Sequence, residues 1–584
     1  MKKYALRNPI PVDVGEALKV YDPLVRSLLY SRGIKDLELA NLFLNPEYEK
    51  LHDPFLLKDM DKVVKRIVRA IQKDEKIGIF SDYDADGIPG AVALHDFFQK
   101  IGYKNFVNYI PLRNEEGFGL NVDAIQSLVD QGVKLIITID CGITDVEEVA
   151  FANKNKIDVI ITDHHIPGKK LPKAFAIINP KQKGDEYPEK MLCGSGVIFK
   201  VIQALILKIR SELDIGHWGL VIPPLGWEKW LLDMVGLATL SDMVPLLGEN
   251  RVLSYYGMKV LQKSPRVGLL KLFSLLNINK STATEDDISF MITPRINAAS
   301  RMGIPKDAFT LMSTVDEVEA GVLAQHLNNK NDERKGVVAS YVKEIKKKIK
   351  DRDEGMRHVL VFGNPEWKPS LLGLVANSFS DEHQRPVFFW GREGSNGSSV
   401  IKGSCRAGGD TDVVALMEKA NNISGDVFVE YGGHKGAGGF SVSQENIHTL
   451  EDRLNEAFLE LSKMSKVPFD ILVDKKLSLE DVNWNTYSQI EKFAPFGLGN
   501  PKPLFLLENI KIDAIKLFGK EKNHLELKFR KNDGKDVTAI AFFQNGDKFS
   551  IPVKQGSSIN MVATLEKSTF RNFPELRLRI VDIF

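Results

Sequence analysis

The sequence predicts an α/β protein of several domains: a parallel-sheet α/β domain, a long helix, a smaller α/β domain and a C-terminal β-barrel. Three observations carry this expectation. Between about Lys76 and Pro180, short apolar runs alternate with helix-length polar segments; from about Val315 to Asp351 there is no proline; from about Val467 to Phe584, short alternating runs are separated by turn signals. At 584 residues the chain is also too long for a single hydrophobic core.

The first domain rests on the runs Ile77-Gly78-Ile79-Phe80, Leu135-Ile136-Ile137-Thr138-Ile139, Val159-Ile160-Ile161 and Ala176-Ile177-Ile178. Continuous apolar runs of this length suit strands buried on both faces of a parallel sheet. They end in Ser81-Asp82, Asp140, Thr162-Asp163-His164-His165 and Asn179-Pro180. Ligands of open α/β sheets bind at the carboxyl ends of the strands, so these distant residues can share one crevice.

In the proline-free stretch Val318, Val322, Leu323 and Leu327 recur at helical intervals, as in one long helix joining two lobes. Its basic end, Lys343 to Lys350, reads as a solvated helix face. From His358 to about Lys463 the strand-like runs Val359-Leu360-Val361-Phe362 and Val387-Phe388-Phe389-Trp390 restore α/β character, and a glycine cluster follows at Gly432 to Gly439. In the tail, Leu525-Glu526-Leu527-Lys528-Phe529 and the turn signal Asn532-Asp533-Gly534 suit a small barrel. The expected division is a helical lead-in over 1–50, then domains at 51–305, the connecting helix at 306–352, and domains at 353–465 and 466–584.

Composition narrows the function classes. The formal charge of +1 gives no global pull on polyanions, so any nucleic-acid affinity must lie in local grooves. No apolar run reaches the roughly 18–20 residues of a membrane span, and no signal-type stretch follows Met1-Lys2-Lys3-Tyr4, which leads to an expectation of a cytoplasmic protein without membrane contact. Cys141, Cys193 and Cys405 lie far apart without C-x-x-C spacing, so they are expected to be reduced and buried.

The chemistry concentrates in the carboxylates. Asp82-Tyr83-Asp84-Ala85-Asp86-Gly87 puts three of them directly after a buried strand, where unpaired charge costs several kcal/mol unless a cation offsets it. Alternate residues of extended chain share a side, so Asp82 and Asp84 can face metals together while Gly87 turns the chain away. Asp140-Cys141-Gly142 and Asp163-His164-His165 repeat the pattern, and Asp242 adds an ionisable group inside an apolar stretch. A single aspartate after a strand is ordinarily a helix cap. Several clusters at equivalent strand ends, with paired histidines, instead predict a two-metal phosphodiester site, and the Asp/His mixture suits Mn²⁺ or Mg²⁺.

These motifs, with Ser241-Asp242, resemble the DHH phosphoesterase superfamily and, within it, the RecJ family of single-strand-specific 5′→3′ DNA exonucleases. The resemblance extends through Ile110-Pro111-Leu112-Arg113, Glu116-Gly117-Phe118-Gly119-Leu120, Cys193-Gly194-Ser195-Gly196, Pro294-Arg295-Ile296-Asn297-Ala298-Ala299 and Gly403-Ser404-Cys405-Arg406. It implies a DHH domain, a DHHA1 second lobe carrying Gly433-His434, and an OB-fold tail. It also implies that Asp84, Asp140, His164 and Asp242 hold one metal, that Asp82 and the bridging Asp140 hold the other, and that His165 reaches the scissile phosphate. Asp86 orients the turn. Arg113, Arg295, Asn297, Ser404, Arg406 and His434 become the expected phosphate and strand contacts, because guanidinium and hydroxyl groups match phosphate oxygens.

The implied activity is hydrolysis of single-stranded DNA to mononucleotides from the 5′ end, in recombination and in mismatch and base-excision repair. The implied protein is a monomer with a single-strand-binding protein and a helicase as candidate partners. Two other readings are a DHH-type oligoribonuclease or cyclic-dinucleotide phosphodiesterase, which the long tail disfavours, and a non-catalytic replication scaffold, which the full ligand set disfavours. The tail phenylalanines Phe542, Phe543, Phe570 and Phe573 read as barrel core. The chain departs from the family pattern at Ser300, at Trp367-Lys368-Pro369-Ser370 in place of a His-x-Gly start, and at Asn377-Ser378 in place of an arginine.

Overall fold

Five parallel strands form the first sheet, in the order Phe106–Tyr109, Ile77–Ser81, Leu135–Ile139, Asp158–Thr162, Ala176–Ile178. The computed structural model describes residues 4–212, 219–352, 356–392, 400–462, 471–519, 521–546, 549, 551–568 and 573–584. The central strands are buried along their length because helices cover both faces, which is why they read as unbroken apolar runs. Phe106–Tyr109 goes beyond the four strands those runs predict; all four of its residues are only half-buried, as befits an edge, and Asn108 interrupts the apolar pattern.

Downstream of the sheet the first lobe is helical, with Gly194–Glu212, Leu232–Ser241, Gly248–Leu261, Thr293–Met302 and Pro305–Ser313 sharing one core with the sheet. The connecting helix runs Glu317–Lys350. At about 1.5 Å per residue it is roughly 50 Å long. Asp316 caps it, accepting from the Val318 and Glu319 N–H groups at 2.7 and 2.9 Å. Ala320, Ala324 and Leu327 are buried in the first lobe, Tyr341 and Ile345 in the second. Its basic end is tied into pairs, Lys346 with Glu382 at 3.1 Å and Lys348 with Glu344 at 3.0 Å.

The second lobe has a five-stranded sheet ordered Glu430–His434, Ala437–Ser443, Val400–Arg406, Val387–Gly391, Leu360–Gly363, with only the last two parallel. The tail wraps seven strands, from Lys475–Lys476 to Glu575–Ile583, around an apolar core. That core is shared with the N-terminal segment: Leu18, Leu28, Leu29 and Phe43 are buried against the same cluster as Phe505, Leu527, Met561 and Leu578. Tyr4–Leu6 pairs in parallel with Ile471–Val473, and the Tyr4 hydroxyl donates to Asp582 at 2.9 Å. The lead-in is thus part of the tail's fold, held by contacts across nearly the whole sequence.

Arg251 joins this assembly to the first lobe. It is 2% exposed, donates to the carbonyls of Phe43 and Phe493, and lies 3.8 Å from the centre of the Phe43 ring. Replacement by methionine leaves those carbonyls without a donor, so Arg251→Met is expected to lower stability by about 3 kcal/mol in urea denaturation. The three cysteines are free and buried. Among the described residues no helix is long and apolar enough to cross a membrane.

Candidate active site

The first sheet's strands end level with one another. Ser81 pairs with Ile139, Ile139 with Thr162, and Thr162 with Ile178. The ladder continues one residue further: the N–H groups of Asp82, Asp140 and Asp163 donate to the carbonyls of Ile139, Thr162 and Ile178 at 3.0, 2.9 and 3.0 Å. Three aspartates therefore stand side by side at strand spacing, about 4.8 Å apart. Close glycine contacts fix this edge. A Cβ on Gly87 would lie 2.5 Å from the Asp82 carbonyl oxygen, and one on Gly194 would lie 2.5 Å from the Asp140 Cβ.

Asp242 arrives from a different element. It follows the buried helix Leu232–Ser241, which approaches Gly248–Leu261 so closely that a Cβ on Gly236 would sit 2.4 Å from the Gly257 Cα. A helix C-terminus carries negative potential, so a carboxylate there is disfavoured without a cation.

His164 Nε2 lies 3.1 Å from Asp140 Oδ1, 3.7 Å from Asp242 Oδ2 and 3.8 Å from Asp86 Oδ2. Asp82, Asp84 and Asp140 form a second group whose carboxylate oxygens lie within 4.8 Å of one another. Asp84 thus groups with Asp82 and Asp140, whereas the resemblance joins it to His164 and Asp242; Asp86 is the carboxylate that completes a group with that pair.

Electrostatics show why the cluster needs cations. Burial and neighbouring carboxylates push Asp82 and Asp140 well above the usual range, Asp242 up to about 9 and Asp86 to about 6. Burial, with the charge of His165, lowers His164 to about 3, so its ring is neutral and fit to ligate. Oδ1 of Asp82, Oδ1 of Asp140 and Oδ2 of Asp242 are buried without a hydrogen-bond partner. Unsatisfied carboxylate oxygens around a neutral imidazole are a donor set for hard or borderline divalent ions, whose charge inverts these pKa shifts.

Other members of the motifs are occupied. Asp86 accepts from the Gly194 and Ser195 N–H groups, at 2.6 and 2.7 Å, at the start of the Gly194–Glu212 helix. Asp163 accepts from the N–H groups of Ile143, His164 and His165 and from His165 Nδ1 at 2.8 Å. Burial would raise its pKa, but these bonds and the His165 charge hold it below the usual value. Burial works against protonated His165, yet the Asp163 bond and charge raise its pKa. Asp163 therefore positions His165, whose ring is 5.4 Å from that of Phe118.

A cleft of about 880 Å³ separates the lobes, with Tyr83, Arg113 and Phe118 on one side and Pro369, Lys402 and Tyr431 on the other. Arg113 lies 4.9 Å from the centre of the Tyr83 ring. Ser404 and Arg406 are 3.2 Å apart on the second-lobe strand and pack on Gly373, where a Cβ would sit 2.8 Å from Arg406 Nη2. Of the other expected contacts, two are engaged within the protein and one is exposed. Arg295 is buried and bound to Asn328 and the Met291 carbonyl; Asn297 accepts from the Ala85 N–H at 2.9 Å, bracing the aspartate loop; His434 is exposed near its hairpin's tip.

The structure also corrects the tail. Phe543 and Phe573 are 76% and 79% exposed, and Phe542 is half-buried beneath Arg579, 4.1 Å from its ring centre, so these three are not barrel core. They lie at strand ends or in connections, outside the alternation that buries Leu525, Leu527 and Phe529. Phe570 falls outside the described residues. Two residues at the site escape motif reading. Arg301, bonded to the Ser370 carbonyl, senses the charges of Asp84 and Arg113; Lys181 senses Asp242 and Asp163. The signals available were a basic residue ending the Pro294 motif and another ending a strand.

Two lobes facing each other across a cleft, with carboxylates and histidines at the strand ends of one, define a DHH-class protein. Family models agree, matching residues 76–221 (DHH family, N-terminal domain), 356–460 (DHHA1 domain) and 473–582 (RecJ OB domain). The chain is 33% identical over 562 residues to the single-stranded-DNA-specific exonuclease RecJ of Bacillus subtilis, spanning 96% of this chain and 68% of that protein. It is 28% identical over 586 residues to RecJ of Haemophilus influenzae, spanning 99% of each. Its fold matches the crystal structure of RecJ in complex with Mn²⁺ from Thermus thermophilus with a TM-score of 0.79 at 24% identity, over 100% of this chain and 79% of that one. A structure of exonuclease RecJ bound to manganese matches with a TM-score of 0.56 at 28% identity, over 70% of this chain and 96% of that one. The chain belongs to the RecJ family.

Proposed function

We propose that the protein is a metal-dependent exonuclease that degrades single-stranded DNA from the 5′ end to mononucleotides, in the cytoplasm, during recombination and repair. The observation that carries this reading is the set of unpartnered carboxylate oxygens of Asp82, Asp140 and Asp242 beside His165, with the second lobe facing them across the cleft. Mn²⁺ or Mg²⁺, two ions held by Asp82, Asp84, Asp140, His164 and Asp242, would supply Lewis acidity and an ionisable water near neutral pH.

The protein's own groups do the rest. His165, with Nδ1 held by Asp163, keeps Nε2 for a phosphate oxygen and stays protonated to higher pH than a free histidine. Arg113 from the first lobe, with Ser404 and Arg406 from the second, grips phosphates of the strand end. In the tail, a groove of about 540 Å³ lined by Lys516, Phe518, Lys528, Phe542 and Arg577 offers ring faces beside cations, a surface suited to unpaired bases. The protein acts as a monomer, with a single-strand-binding protein and a helicase as partners.

Digestion of single strands labelled at either end, with duplex controls, tests this reading. Wild type with Mn²⁺ is expected to release the 5′ label first and to leave the duplex intact, and Asp242→Ala to release neither label. Prior loss of the 3′ label, or equal attack on the duplex, refutes it.

A further inference from the structure

The junction of the first lobe, the long helix and the second lobe holds donors that the fold leaves unmet. Arg334, near the middle of the long helix, has a buried Nε without a hydrogen-bond partner and forms no ion pair among the described residues. Its neighbour Asp332 is engaged by Lys335 at 3.1 Å and by Asn328 at 3.3 Å. One turn before Arg334, on the same face, Asn331 is fully buried with neither amide atom bonded.

Across the junction, Ser370 lies in the first turn of the helix Pro369–His383. It is 8% exposed, it lines the interlobe cleft, and its Oγ is also without a partner. Arg301 is bonded to the Ser370 carbonyl, and the charges of Arg113 and Arg334 both act on it. Arg295 adds a further cation that senses Arg334. A protein of net charge +1 therefore brings Arg113 and Arg334 within electrostatic reach of Arg301, beside the first turn of the Pro369–His383 helix. Buried donors and clustered guanidinium groups are costly alone and are satisfied together by a phosphate.

We propose that Arg334 and Ser370 form a phosphate subsite beside Arg301, taking a phosphodiester or terminal phosphate of the bound strand. The inference rests on the single-strand reading above for the source of the phosphate.

Fluorescence anisotropy with a short oligothymidylate, in EDTA so that no digestion occurs, tests it across a salt series. Arg334→Gln is expected to weaken binding about tenfold and to flatten the slope of log K against log salt by about 0.7, the signature of one lost phosphate contact on a single strand. Arg334→Lys should keep most of the slope. Ser370→Gly, which removes only the hydroxyl and Cβ, should weaken binding severalfold with the slope unchanged.

Oligonucleotides with and without a 5′-phosphate separate the two sources. An Arg334→Gln defect confined to the 5′-phosphorylated strand assigns the terminal phosphate, and a defect on both assigns an internal one. Unchanged affinity and slope in Arg334→Gln and unchanged affinity in Ser370→Gly, with wild-type melting curves, overturn the proposal. Failure of wild type to digest single strands with Mn²⁺ would instead sink the functional reading.

Discussion

Asp140→Ala is expected to slow release of acid-soluble nucleotide from single-stranded DNA by about 10³-fold or more, the kinetic equivalent of roughly 4 kcal/mol. Asp140 is the one carboxylate present both in the group with Asp82 and Asp84 and in the group with His164 and His165. Its Oδ1 is buried without a hydrogen-bond partner, and a Cβ on Gly194 would lie 2.5 Å from its own Cβ, so the aspartate is closely packed at the strand end. The loss should appear in kcat with little change in KM for a long strand, because cleft and tail contacts are untouched. Without metal, at neutral pH and above, the same variant should melt higher than wild type, since it removes a carboxyl that burial and the charges of Asp86, Asp84, Asp82 and Asp242 keep from ionising.

Metal removal should have the second large effect, and its sign depends on pH. Asp82, Asp86, Asp140 and Asp242 all have folded-state pKa values raised above the unfolded value near 4. A raised carboxyl contributes stability that is fully present below the unfolded pKa and is lost as pH rises through the folded pKa. With Asp86 at about 6 and Asp242 at about 9, the EDTA-treated protein should lose stability steadily from pH 5 to about 9. Mn²⁺ reverses the trend because it binds the deprotonated ligands. At free concentrations roughly 100- to 1,000-fold above its Kd, the ion should add about 3–4 kcal/mol, or roughly 10 °C in the melting temperature of the first lobe. Calorimetric scans with EDTA and with Mn²⁺ across this pH range check both signs.

What the sequence revealed follows from how local each signal is. Leu135–Ile139 and its neighbours were legible because strands covered on both faces are apolar without interruption. Phe106–Tyr109 was not, since an edge strand keeps half its surface in water. Asp82, Asp140 and Asp242 stood out because charge inside apolar surroundings demands a partner, and their side chains do meet. Arg295 and Asn297 carry the same chemistry as strand contacts, but their partners Asn328 and Ala85 come from distant segments that no local pattern announces. The union of the lead-in with the tail was hidden for the same reason: Tyr4 and Asp582 bond to each other although 578 positions separate them in the sequence. Phe543 and Phe573 show the converse, where residue type suggested core and position placed the rings in water.

Titration calorimetry of metal-free protein with Mn²⁺ tests the central claim most directly. Wild type should bind two ions with release of protons from the raised carboxyls, and Asp140→Ala should bind neither over the same concentration range. Two ions bound with wild-type affinity by Asp140→Ala would contradict a metal centre at the level strand ends.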